Sequence, residues 1–125
     1  MKVFVLAVVV FAVTIGCIWW SSWYVGRMCE GILGELEYMA ALQPGDLTGF
    51  GKGYREIEKM WKRGEVWLHV LVGHDAADMV EELFVEMGMR FIGKDELGYQ
   101  VTREKLCLQL EMIREGERVV VDSIL

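Results

Sequence analysis

His74, Asp75 and Asp78 are the residues whose types and spacing come closest to chemistry in this chain. They read H-D-x-x-D at an expected helix start. An imidazole beside carboxylates could hold a divalent metal or pass a proton. Strong metal motifs carry two well-spaced pairs, and no second cluster accompanies this one. The simpler reading is structural. Asp75 or Asp78 caps a helix, and His74 bonds a backbone carbonyl or an acid across the turn. The three are therefore weak metal candidates only, and neither a catalytic residue nor a cofactor is expected. Other constellations are missing: there is no Gly-x-Ser-x-Gly and no His-Glu-x-x-His. Gly49, Gly51 and Gly53 alternate, but no strand precedes them and no Lys-Ser/Thr follows, so they read as a turn rather than a phosphate cradle.

Trp61 and Trp67 are six residues apart and do not share one helical face. Packing in the core and at its edge is expected of them, with a ligand-stacking pair as the sharper alternative. His69 lies opposite the apolar stripe and is expected to be exposed. Met60, Met79, Met87, Met89 and Met112 carry thioethers of the kind that suit Cu(I). They fall on or beside apolar stripes, which makes them core filler.

The elements that position these residues start from Val3 to Trp23, a run of 21 residues without a charge. At about 1.5 Å per residue, roughly 20 such residues cross the ~30 Å hydrocarbon core of a bilayer. A cleaved signal peptide would have a shorter apolar run and a small-residue cleavage site. This run ends instead in Trp19, Trp20, Trp23 and Tyr24, rings that favour a membrane–water boundary. Gly16-Cys17 resembles the end of a lipobox, but Thr14 stands where that motif wants an aliphatic residue. A retained anchor over residues 1–25 is the expectation. The Lys/Arg signal is thin, with the α-amino group and Lys2 on one side and Arg27 on the other. A short tail before a long domain favours a cytoplasmic N-terminus and an extracytoplasmic domain over residues 26–125.

The 125-residue chain has a formal net charge of -6, nearly all of it beyond the apolar run. Acidity of that kind argues against nucleic acid and against a polybasic lipid-binding role. One proline permits long helices, while 14 glycines argue against high stability. Of three cysteines, Cys17 lies in the apolar run. Cys29 and Cys107 could form one disulfide in an oxidising space, but buried free thiols are the simpler reading.

From Val25 the apolar pattern becomes periodic. Val25, Cys29, Ile32, Leu36 and Met39 step by three and four, the mark of one buried helical stripe. The first helix is expected to run unbroken to about Leu42, where Pro44-Gly45 stops it. Asp46 caps a second helix with the stripe Phe50, Tyr54, Ile57, Trp61, Gly64, Leu68 and Leu71. Its glycines could delay its start. Asp75 caps a third, with the stripe Ala76, Val80, Leu83, Met87 and Phe91 and a solvated face of Glu81, Glu82 and Glu86. Asp95 caps a fourth, with the stripe Tyr99, Leu106, Leu110, Ile113, Val120 and Ile124, widened by Leu97, Val101, Leu108 and Met112. Val119 to Val121 is β-branched but has no second strand to pair with, so it stays helical or frayed. Short links favour antiparallel neighbours. The expected fold is all-α: an N-terminal transmembrane helix running into an antiparallel bundle of about four helices.

The pattern of Trp61, Trp67-Leu68, Leu71, His74, Asp78 and Glu81 to Leu83 resembles a bacterial family of small membrane-anchored proteins. That family carries a domain of unknown function and is typical of spore-forming Firmicutes. Gly73, Asp75 and Ala76 depart from its usual residues. The resemblance implies an uncleaved membrane helix and a bundle, and it implies no activity. Two roles follow for a single-pass protein with a lipid bilayer as its surroundings. One is a non-enzymatic structural or interaction module, with an unknown protein partner or self-association. The other is a membrane-tethered sensory or ligand-binding bundle working with a membrane partner.

Overall fold

The computed structural model describes residues 1–43 and 45–124, without the side chains of Val120, Val121 and Ile124. It is all-helical among the described residues. The elements are α1 (Lys2–Ala40), α2 (Leu47–Leu71), α3 (His74–Ile92) and α4 (Glu96–Ile124). α1 packs on α2 and α4, and α3 packs on α2 and α4, so α1 and α3 stand diagonally in an antiparallel four-helix arrangement. The Pro44 part of the expected break after α1 lies outside the described residues, as do the side chains of Val120 and Ile124 in the α4 stripe. Gly45 next to it takes φ 84°, a left-handed value that suits glycine.

α1 has 39 residues and a length of about 58 Å, and its two halves differ in what covers them. Val3 to Val13 present their apolar side chains outward. From Ser22 onward one stripe turns inward, and Val25, Cys29, Ile32, Leu36 and Met39 are all buried. The change falls where α4 arrives: Ser22 Oγ donates a 3.0 Å hydrogen bond to Glu117. α2 reaches α1 near the same level, with the Trp67 ring edge-on to Trp20 at 5.9 Å.

The caps expected at two helix starts are present. Asp46 Oδ1 accepts from the Gly49 N–H at 3.0 Å, and Asp95 Oδ1 accepts from the Gly98 N–H at 3.0 Å. α2 begins at Leu47 despite its glycines: Gly49 is buried against Leu42 and the Asp46 cap, and Gly53 is buried where Met39 and Tyr38 of α1 approach it. α3 departs from expectation. It begins at His74, with Gly73 at the cap position and no side-chain cap, so neither Asp75 nor Asp78 caps it. Gly73 takes φ 102°, which lets the chain turn tightly enough to start the helix before Asp75. Asp75 instead sits in the first turn, where a carboxylate is favoured by the helix dipole.

The core joins the α1 stripe to Phe50, Ile57 and Leu68 of α2, Val80 and Met87 of α3, and Tyr99, Leu106, Leu110 and Ile113 of α4. Aromatic stacking closes the far end, with Phe50 against Phe91 at 3.7 Å and Tyr54 against Phe84 at 4.1 Å. Leu97, Val101, Leu108 and Met112 do not widen the α4 stripe; all four are exposed. Each lies two residues from a stripe residue, and two steps of about 100° place it on the opposite face. Among the methionines, Met87 is buried and Met60 packs against the core, whereas Met79, Met89 and Met112 are exposed.

Candidate functional site

Glu65, His69 and Glu81 each offer one ligand atom within 4.8 Å of the others. Glu65 and His69 are four apart on α2, which puts them on one face. Glu81 comes from α3, brought across by the short turn through Val72 and Gly73. His69 is not exposed as expected: its side chain retains 18% of its accessible surface. Glu81 leaves the solvated face assigned to it and is half-buried.

The hydrogen bonds fix roles inside the cluster. Trp61 Nε1–H donates to Glu81 Oε1 at 2.9 Å. His69 Nε2 lies 3.1 Å from the same oxygen. A carboxylate only accepts, so Nε2 carries the proton. His69 Nδ1 then accepts from His74 Nδ1–H across 3.2 Å. Burial alone would raise the Glu81 carboxyl, but hydrogen bonding, led by the bonds from Trp61 and His69, outweighs it and leaves Glu81 below its ordinary value. Trp61 thus has a polar task as well as a packing one, because its N–H orients the carboxylate. Trp67 is exposed and pairs with Trp20 rather than with Trp61.

The three residues singled out by spacing divide. His74 belongs to the cluster through His69. Asp78 stands at its edge, with Oδ1 4.0 Å from His69 Nδ1. Asp75 is exposed on the first turn of α3. Among the described hydrogen bonds His74 does not reach a backbone carbonyl or an acid as expected; its Nδ1 meets the His69 imidazole instead. Spacing in the sequence does not single out Glu65 and Glu81, although the Glu-x-x-x-His step from Glu65 to His69 is a helical signal for two of the three.

A cleft of about 320 Å³ adjoins the cluster. Trp61, Glu65 and Glu81 form part of its wall, and Ile32, Ile57, Val80 and Leu106 contribute apolar surface. This is a small, mostly apolar recess with acid groups at one edge, the general form of a ligand site. The three cysteines are free thiols. Burial pushes Cys29 up to about 12 and Cys107 up to about 11, so neither has the thiolate character that nucleophilic chemistry needs. No family model, no curated protein and no solved structure matches this chain, so the resemblance carried by Trp61 to Leu83 stands on those residues alone.

Proposed function

We propose that this chain is a single-pass membrane protein whose bundle is held at the lipid surface as a non-enzymatic structural or protein-interaction module. One observation carries the reading: the two halves of α1. Lys2 to Ala40 contains the one described helix long and apolar enough to cross a bilayer, and none of its apolar window is buried. The second half of the same helix is the first core element of the bundle. A helix with one bare apolar half and one covered half suits two solvents, hydrocarbon and protein. Trp19, Trp20 and Trp23 lie at the change and are exposed, as rings at a headgroup boundary would be. The N-terminus is assigned to the cytoplasm and the bundle to the outer side.

The module reading draws on the outer face of α4. Leu97, Val101, Leu108, Met112 and Val119 repeat at four and seven residues and are exposed together. An apolar seam of this spacing suits a helical partner or a second copy of the chain. The cleft beside Trp61 favours the sensory bundle as the second reading. Purification from detergent-solubilised membranes separates the two. A stoichiometric protein partner or dimer, lost in Leu108→Glu with helicity intact, supports the module. A co-purifying small molecule with no protein partner supports the sensor.

A further inference from the structure

We propose that Glu65, His69 and Glu81 bind one divalent transition-metal ion that ties α2 to α3, with His74 orienting His69 from behind. The ligand atoms would be one oxygen of each carboxylate and Nε2 of His69. Donors around a tetrahedral ion at about 2.1 Å stand roughly 3.4 Å apart. Nε2 of His69 and Oε1 of Glu81 already stand 3.1 Å apart, and all three donors fall within 4.8 Å. Small side-chain rotations would complete the shell.

Charge supplies the second argument. Two carboxylates converge here on a chain of net charge -6. Among the described ion pairs no lysine or arginine bridges either of them, and Lys62, at the cleft wall, pairs with Glu58. A divalent cation would neutralise the two carboxylates together. Metal binding displaces the proton from Nε2, so the His69 tautomer switches. His74 changes to its Nε2–H tautomer at the same time, so that His69 Nδ1–H donates to His74 Nδ1 across the same 3.2 Å. A ligating histidine held through its other nitrogen is the usual support for such a site. Trp61 supports Glu81 in the same way.

An imidazole with two carboxylates suits zinc and its first-row neighbours better than calcium or magnesium, which favour all-oxygen shells. Three protein ligands leave a tetrahedral ion one further position. The adjoining cleft has room there for water or a small anion.

The test uses the full chain in detergent, stripped with chelator and titrated with Zn²⁺ by calorimetry and with Co²⁺ by visible absorption. One equivalent should bind, with Co²⁺ giving a d–d band that Zn²⁺ abolishes. Glu81→Gln and Glu65→Gln should each weaken binding at least about tenfold, and His74→Ala about ten- to a hundredfold. Asp75→Asn should leave it unchanged. Circular dichroism confirms that each variant is folded, and the near-isosteric Gln variants guard against collapse of the turn. Absence of saturable binding at about 10 μM, or binding indifferent to both Gln substitutions, would overturn the proposal.

Discussion

Leu106→Ala and Leu108→Ala test which face of α4 builds the core. Leu106 is 0% exposed and touches the centre of the bundle, while Leu108 is 59% exposed. The two residues are about 200° apart around the helix. Truncating Leu106 removes three buried carbons, a transfer loss of about 2.4 kcal/mol at ~0.8 kcal/mol per carbon. A residual cavity raises the total into the range of about 2–5 kcal/mol. The same change at Leu108 removes little area buried within one chain and improves helix propensity, so its effect on the monomeric bundle stays within about 0.5 kcal/mol. For a bundle of this size, Leu106→Ala should lower Tm by at least about 8 °C and Leu108→Ala by no more than about 4 °C. Thermal melts of the full chain in detergent, followed at a helical circular dichroism band, read both. Equal losses, or a larger loss from Leu108→Ala, would refute the assignment of faces.

Three further outcomes follow from local geometry. A Cβ at Gly88 would stand 2.9 to 3.2 Å from the Tyr54 ring, which is stacked on Phe84 and has little freedom to retreat. Gly88→Ala should therefore destabilise by about 1–3 kcal/mol despite alanine's better helix propensity, as chemical denaturation would read. Lys94 holds φ 60° in the link between α3 and α4, a conformation that costs a side-chain-bearing residue. Lys94→Gly should raise stability by about 0.5–1 kcal/mol, after the extra chain entropy of glycine is offset. Cys29 is shifted upward by burial, so its neutral thiol is the form the folded chain keeps. Its contribution to stability is complete below pH 9 and is lost as pH rises from there towards about 12. Alkylation at pH 8 should spare Cys29 in the folded protein and modify it after unfolding.

Much of the fold could be read from spacing because helices enforce it. The α1 stripe from Val25 to Met39 is buried at every position where steps of three and four place it. Asp46 and Asp95 act as caps because a short acid before an apolar run can reach the free N–H groups of the first turn. The errors are local too. Asp75 resembles a cap but lies inside α3, since Gly73 lets the chain turn sooner. Leu97, Val101, Leu108 and Met112 are as apolar as the stripe residues, but each stands about 200° round the helix from one of them and faces away from the core. The candidate site was only half legible. Its members are far apart in sequence, and Glu81 looks like its neighbours Glu82 and Glu86 until α2 is laid beside α3. No spacing rule pairs Trp61 with an acid 20 residues on; the turn between the helices does that.

The central claim is that α1 remains whole, with one half in lipid and the other in the bundle. Its most direct test is to extract membranes of cells making the full chain with alkaline carbonate, then determine the mass and N-terminal residue of the product. The expected result is a chain that begins at Met1 and stays with the membrane pellet. A product that begins near residue 20, or an intact chain released into the soluble fraction, would contradict the account.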